Sequence, residues 1–264
     1  MMRLLPFHRC RSLLGAALVL VTLTLPGPAR AQAAAAEAER PFSEGEVLAY
    51  DVSLGKFGRS GTGWLRVERA VPVRDEPVQL LRFDFAARVG PFHVQHHSRS
   101  WLSTERSAAL RYWIDERAPF QKPVQDLVQL YPDAQRWEGQ HGGGQSTTGE
   151  PLDELSFLYL VRMLELAPGD SLRLDRHFDP RRNPVLVRVL RREAVRVPAG
   201  EFRALLVELE VKDPNRYGGR GVLRLHLTDD ARRLPVRIES DVPVVGTLVL
   251  ELQTLPAVPP EVES

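Results

Sequence analysis

The sequence is poor in the residues that support disulfide, thiolate and metal chemistry. Among its 264 residues the single cysteine, Cys10, has no partner for an intrachain disulfide, and no Cys cluster could hold zinc or an iron-sulfur centre. The G-x-S-x-G motif that presents a hydrolase nucleophile is also missing. These absences exclude a disulfide scaffold and give no support to cysteine or serine nucleophilic catalysis.

Acidic residues are missing from the first 31 positions, which contain four arginines. Three of these arginines precede an apolar stretch from Leu13 to Leu25, which is followed by prolines and the small-residue pattern Ala29-Arg30-Ala31. This layout predicts a secretory signal peptide over residues 1–31. The stretch is shorter than the ~20 apolar residues of a membrane span, and no cysteine follows it for lipid attachment. We therefore expect an exported, periplasmic protein without a stable membrane span.

The remaining chain carries little net charge. Without the first 31 residues it has 31 basic and 34 acidic residues, and the arginines are spread along it rather than clustered. A nucleic-acid partner is therefore not expected. We interpret residues 32–40 as a flexible lead-in, 41–255 as a single mainly β domain, and 256–264 as a Pro-rich tail. A division at the Gly-rich loop 142–149 is the alternative.

Apolar residues alternate with polar ones along most of the chain, which is the pattern of half-buried antiparallel strands. The clearest runs are Leu48–Leu54, Leu81–Phe85, Leu205–Lys212, Leu223–Thr228, Leu234–Glu239 and Leu248–Gln253. Turn residues separate them: Val197-Pro198-Ala199-Gly200 predicts a hairpin, Thr228-Asp229-Asp230 a turn closed by side-chain acceptors, and Gly90, Asp213–Asn215 and Gly142–Gly144 further breaks. The glycine run lacks the context of a phosphate loop and is read as a flexible connection.

One segment departs from this pattern. The sequence DELSFLYLVRMLE, residues 153–165, predicts a helix with Asp153 as its N-cap and Pro168-Gly169 after its end. Because the segment is apolar on most sides, we expect it to be buried. The predicted fold class is thus mainly β: a curved antiparallel sheet, a partly closed barrel or a sandwich, with one buried helix near 153–165.

Few residues suggest a binding site. His93 and His97 share one face of a predicted strand but lie about 13 Å apart, while His96 faces the other way. No metal, cofactor or catalytic site is therefore predicted, and a polar strand face is the simpler interpretation. Thirteen of 19 aromatic residues lie between 41 and 140, where they suit a sheet core or an apolar ligand pocket. Trp101 and Trp113, on the polar side of their runs, join His93 and His97 as weak candidates for contacting a ligand or partner.

Several motifs resemble a family of exported bacterial proteins that contain a domain of unknown function, number thirty-one-oh-eight. The similar stretches are Pro41-Phe42 with Gly45–Tyr50, Pro151–Ser156, Val197–Phe202, Leu227–Val236 and Gly246 before the last strand. The resemblance implies an exported, mainly β protein and brings no catalytic residues. In architecture alone, the chain is also similar to periplasmic carriers that wrap a half-barrel around a helix and hold acyl chains.

Three functions remain open from the sequence. The first is a non-enzymatic envelope protein that binds an apolar or amphipathic, lipid-like ligand or a partner protein. The second is a hydrolase of envelope glycan or lipid that uses His93, His97 or the Asp229 region as its acid-base group. The third is a structural component of an envelope complex, which differs from the first by a filled interior and an exposed apolar patch.

Overall fold

The computed structural model describes residues 40–55, 58–89, 92–119, 122–212, 219–242 and 246–256. The predicted signal peptide, nearly all of the lead-in and of the Pro-rich tail, and the turns at Gly90 and Asp213–Asn215 lie outside the described residues. Whether 41–255 is a single domain stays a prediction.

The described ranges form fourteen strands and one α-helix. The elements are β1 Val47–Leu54, β2 Arg59–Arg69, β3 Val78–Val89, β4 Phe92–Ser103, β5 Ala109–Arg117, β6 Val124–Tyr131, β7 Arg136–Gly139, β8 Gly142–Gln145, α1 Glu154–Met163, β9 Ser171–Leu174, β10 Val185–Val197, β11 Gly200–Lys212, β12 Arg220–Thr228, β13 Pro235–Val242 and β14 Gly246–Leu252. A short 3-10 turn, Pro180–Arg182, precedes β10.

All fourteen strands belong to one antiparallel sheet in the order β8-β7-β6-β5-β4-β3-β2-β1-β14-β13-β12-β11-β10-β9. The first and last strands of the chain pair at the middle of this sheet, with Tyr50 opposite Leu252. The sheet curves but does not close, so β8 and β9 are its two edges. The mainly β prediction with a curved sheet and one buried helix is therefore confirmed.

Helix α1 is buried along almost its whole length, as its sequence predicts. Residues 155–162 are all buried, and the helix packs against β3 and β4. Asp153 is the N-cap: its Oδ1 accepts from the backbone N–H groups of Leu155 and Ser156, while the Ser156 hydroxyl accepts from the N–H of Asp153. This reciprocal capping box fixes the start of the helix.

The other end of α1 is held by a buried ion pair. Arg162 is fully buried, and its guanidinium donates to both oxygens of Glu46 at 2.7 and 2.8 Å. It also donates to the carbonyls of Pro41 and Arg232, and lies 5.2 Å from the Phe42 ring. The pair therefore joins the helix to the segment before β1 and to the turn between β12 and β13.

Two predicted turns are confirmed, and the interpretation of the glycine run is wrong. Val197 pairs with Gly200 in the β10–β11 hairpin, and Asp230 closes the second turn by accepting from the backbone N–H groups of Arg232 and Arg233. Gly142–Gln145, however, forms the edge strand β8 rather than a loose connection. A Cβ built on Gly143 would lie 2.8 Å from the Trp137 carbonyl oxygen, so close pairing with β7 requires glycine there.

Candidate functional site

A cavity of about 170 Å³ lies where the first turn of α1 faces the neighbouring ends of β11, β12 and β13. Most of its wall is apolar, and three charged or titratable side chains, Glu154, His177 and Arg182, stand together on one side of it. The other lining residues are Phe157, Leu209, Val211, Gly221, Val222, Leu223 and Ser240. The cavity thus combines an apolar wall with one polar corner, as ligand pockets commonly do.

A tightly bonded loop holds His177 in place at this corner. Asn183 Oδ1 accepts from the His177 backbone N–H at 2.9 Å, and Asn183 Nδ2 donates to the His177 carbonyl at 3.0 Å. The backbone N–H of Asp179 donates to His177 Nδ1 at 3.1 Å. Because Nδ1 accepts this bond, the ring proton is placed on Nε2.

Glu154 is the centre of the polar corner. Its Oε1 accepts from Arg182 Nη1 at 2.8 Å and lies 3.4 Å from His177 Nε2, a close contact without hydrogen-bond geometry. Burial by itself raises the pKa of Glu154, but the charge of Arg182 and the nearby His177 lower it more, so its net pKa is far below the usual range. Glu154 is therefore ionised and paired with Arg182.

Two buried polar atoms at this corner lack a partner in the part of the chain that the structure describes. They are Glu154 Oε2, an acceptor, and His177 Nε2, which carries the ring proton and is a donor. A buried polar atom without a hydrogen bond costs about 1–3 kcal/mol.

Asp153 lies directly behind the corner and is fully buried. Ser100 on β4 donates to Asp153 Oδ2 at 2.6 Å, while Oδ1 caps the helix. Burial raises the pKa of Asp153 to about 7, against the lowering effect of the bonds from Ser100 and Ser156. Asp153 is thus a helix-capping group, and it sets the position of its neighbour Glu154.

A second polar group lies on the inner face of β4 and β5. His96 Nδ1 is 3.1 Å from Glu116 Oε2, and His96 Nε2 is 3.1 Å from Ser98 Oγ. The His96 ring stacks on Phe85 at 5.4 Å between centroids. This order of serine, histidine and carboxylate matches that of a nucleophile with its base and orienting acid.

Ser98 is nevertheless poorly placed to attack a substrate. Its exposed fraction is only 1%, and its backbone lies inside a strand paired on both sides, with Phe83 and with Ile114. Such a strand offers no free pair of N–H groups for an oxyanion, which acyl transfer requires. We interpret Ser98, His96 and Glu116 as a row of hydrogen-bonded polar side chains on the inner face of the sheet.

The four residues singled out from the sequence lie on the opposite face of β4 and β5. His93 and His97 have the parity opposite to His96, and His97 Nδ1 contacts Asp84 Oδ1 at 2.7 Å. The Trp101 ring lies under Arg111 at 5.4 Å and the Trp113 ring under Arg99 at 5.5 Å. None of the four lines the cavity, and their role in binding a partner stays a prediction.

The sequence alone does not single out Glu154, His177 or Arg182. Glu154 directly follows the predicted N-cap Asp153, and His177 has no other histidine or cysteine near it in the chain. The start of the predicted helix is the one sequence feature that points to this site. A carboxylate in the first turn of a buried helix lies at the end of that helix, where a cavity can form. Pairing it with His177 and Arg182 depends on a loop conformation that no local pattern predicts.

The described residues include neither a metal-binding cluster nor a membrane-spanning helix. Across the described ranges, no group of three or more His, Cys, Asp or Glu side chains is placed to hold a metal ion. In the same part of the chain, no helix has the length and apolar character needed to cross a membrane.

The fold and cavity define an open-sheet, mainly β protein with a partly open pocket beside its helix. The chain belongs to the family described as protein of unknown function (DUF3108), whose model matches residues 49–253. The resemblance seen in its motifs is thereby confirmed. No curated protein matches the chain.

Two solved structures resemble the chain at low sequence identity, and one of them supports the fold. A beta-barrel-like protein from Brucella abortus, of domain of unknown function DUF1849, is 10% identical with a TM-score of 0.53, covering 81% of this chain and 98% of that one. A candidate lipoprotein from Parabacteroides distasonis is 11% identical with a TM-score of 0.35, covering 82% of this chain and 98% of the other. The first of these supports the architecture alone.

Proposed function

We propose that this protein is an exported, periplasmic envelope protein that binds a small amphipathic ligand in the cavity beside α1. The observation that carries the proposal is the cavity itself, whose apolar wall adjoins the polar corner formed by Glu154, His177 and Arg182. The signal-peptide pattern of residues 1–31 supports the compartment. The sequence-based hypothesis also includes a partner protein as the bound molecule. Such a partner would bind the outer face of β4 and β5, near Trp101 and Trp113.

The volume limits what the cavity can hold. An apolar cavity of about 150 Å³ binds one benzene molecule, and this cavity measures about 170 Å³. It therefore suits a group of roughly benzene size. A lipid would insert only the end of a chain, and a whole acyl chain would not fit.

The hydrolase hypothesis has one observation in its favour, the row of Ser98, His96 and Glu116. In this row the acid-base group would be His96, and not His93, His97 or the Asp229 region as the sequence-based hypothesis has it. The burial of Ser98 makes binding the better-supported function.

Toluene is a suitable first probe because it matches the cavity in size and carries no polar group. Toluene is titrated into methyl-labelled protein, and the methyl NMR signals of Leu209 and Leu223 are followed. Saturable shifts at these residues are expected, and their loss in Val211→Trp, which fills the cavity. Val124→Trp is the control, since Val124 is exposed on β6 and lies outside the cavity wall.

The proposal fails if wild-type signals do not move, or if they move equally in Val211→Trp and Val124→Trp. Circular dichroism of both variants establishes that each is folded before the titrations are compared. If Val211→Trp does not fold, Val222→Leu, a smaller enlargement on the same wall, takes its place.

A further inference from the structure

The outer faces of the two halves of the sheet differ in charge and in aromatic content. On the face of β2–β5 that points away from α1, six arginines stand beside three carboxylates, and three of the four tryptophans of the chain lie among them. We call this surface the Arg-Trp face. Its arginines are Arg66, Arg82, Arg88, Arg99, Arg111 and Arg117, and its tryptophans are Trp64, Trp101 and Trp113.

The matching face of β11–β14 has the opposite balance. There, four Lys and Arg residues stand beside five Asp and Glu residues, and these four strands contain no tryptophan. The excess of positive charge is therefore confined to one side of the described sheet, although the chain after residue 31 is slightly acidic as a whole.

Three arginines of the Arg-Trp face stand directly side by side. Arg66, Arg82 and Arg99 are opposite one another on β2, β3 and β4. Like charges in directly opposite positions destabilise a sheet. Carboxylates relieve part of this repulsion, since Arg82 donates to Glu68 at 3.0 Å and Arg99 contacts Asp84 at 2.8 Å. Negative charge from outside the protein would relieve the rest.

Two arginines of this face bond to no carboxylate among the described residues. The guanidinium of Arg66 lies 5.7 Å from the Trp64 ring. The guanidinium of Arg111 lies 5.4 Å from the Trp101 ring and donates to Gln129 at 3.2 Å. Both guanidinium groups are therefore available to an external anion.

The shape of the Arg-Trp face favours an extended partner over a small anion. It is the outside of the curved sheet, where side chains diverge and cannot converge on one ion. Strands β3 and β4 have 12 residues each, so the face is about 40 Å long, and four strands make it about 15 Å wide. A surface that carries many negative groups fits such an array. Arginine together with tryptophan is also the combination that suits a membrane interface.

We infer that the Arg-Trp face docks on a membrane surface rich in anionic phospholipid. The guanidinium groups contact lipid phosphates, and the tryptophan rings lie at the level of the headgroups. This inference is independent of ligand binding in the cavity, whose lining includes no residue of β2–β5.

Co-sedimentation with vesicles tests the inference. One set of vesicles contains phosphatidylglycerol and phosphatidylcholine in equal parts, and the other contains phosphatidylcholine alone. We expect the protein to bind the anionic vesicles at least about tenfold more tightly, and this binding to weaken as salt is raised because exposed charges are screened. Every protein is purified after export, and its intact mass establishes whether the basic residues 1–31 are present, since they would bind anionic vesicles themselves.

A double variant, Arg66→Gln with Arg111→Gln, removes two charges of the face without leaving a carboxylate unpaired. Its affinity for the anionic vesicles is expected to fall about tenfold or more. The matched control is Arg196→Gln with Arg203→Gln, which removes the same charge at two positions on β10 and β11 that are 84% and 81% exposed. The control is expected to change the affinity less than about twofold. Circular dichroism establishes that each variant is folded, and Arg66→Gln alone replaces a double variant that is not.

Three outcomes overturn the inference. The first is equal binding to both sets of vesicles, and the second is an equal loss of affinity in the two double variants. The third is retention of the protein on immobilised polyglutamate without binding to anionic vesicles, which would identify an acidic protein as the partner instead. In each case ligand binding in the cavity is unaffected, because the toluene titration tests it separately.

Discussion

The hydroxyl of Ser100 donates to Asp153 Oδ2 at 2.6 Å and so joins the inner face of β4 to the N-cap of α1. Both residues are fully buried, and the carboxyl group meets no cation within hydrogen-bond distance among its described partners. Burial therefore raises the pKa of Asp153 to about 7, from an ordinary value near 4. Binding of a proton by Asp153 therefore stabilises the folded state.

The first prediction follows from the direction of that shift. Between about pH 4 and pH 7 the folded state binds a proton that the unfolded state has lost, so this group makes the free energy of unfolding fall as pH rises. In Asp153→Asn the amide oxygen still caps the helix and the NH₂ donates to Ser100, so this contribution disappears. We expect the variant to gain roughly 2–4 kcal/mol relative to wild type between pH 4 and pH 8.

Urea unfolding of both proteins across that range measures the difference. Asp153→Ala is the control: it removes the cap as well and is expected to be less stable than Asp153→Asn at every pH, by about 1–2 kcal/mol. Parallel stability curves for wild type and Asp153→Asn would contradict the prediction.

The second prediction concerns the buried pair of Arg162 and Glu46. Removing the cation in Arg162→Met leaves the Glu46 carboxylate buried without its partner, and we expect a loss of about 3–5 kcal/mol in the free energy of unfolding. The double variant with Glu46→Gln removes both charges and is expected to recover more than half of that loss. If the two single effects simply add, the pair does not interact as its geometry indicates.

A third prediction concerns Gly61 on β2. A Cβ at this position would overlap the backbone carbonyl oxygen of Ala86 on β3, and no flexible side chain could move aside. Gly61→Ala is therefore expected to destabilise the protein by about 1–3 kcal/mol or more through displaced strand pairing. Gly149→Ala is the control, because a Cβ there meets nothing closer than 3.9 Å, and thermal unfolding of both variants provides the comparison.

The fourth prediction decides whether the row of Ser98, His96 and Glu116 is catalytic. Because Ser98 is 1% exposed, we expect a fluorophosphonate probe, which phosphonylates the hydroxyl of active serines with loss of fluoride, to leave the folded protein unlabelled. Intact-protein mass spectrometry measures the label. Labelling at Ser98 that disappears in His96→Ala would instead establish an activated nucleophile and favour the hydrolase hypothesis.

Local patterns account for the parts of the fold that were predictable. Alternation along Leu205–Lys212 reflects contacts made at every second residue, and Asp153 caps a helix through bonds to residues two and three positions later. Such information is contained within a few neighbouring residues. The edge strand Gly142–Gln145 cannot be recognised from the sequence, because glycine has no side chain that could show the polar and apolar alternation. The segment is a strand because it pairs with β7.

The cavity could not be predicted for a different reason. Its wall is assembled from five separate segments of the chain, which the sheet order brings together. The contact between Glu154 and His177 depends on the loop that Asn183 and Asp179 stabilise, not on any spacing between the two residues. Long-range placement of this kind leaves no periodic signal in one sequence.

The pairing of β1 with β14 fixes where attachments can be made. Ala49, near the start of β1, accepts from the backbone N–H of Gln253, so the first and last described segments leave the sheet at the same end. The cavity lies at the other end, where Ser240 and Leu223 pair close to the start of β14. A surface linker or purification tag fused at residue 40 or 256 would therefore attach the molecule at the end of these strands opposite to the pocket.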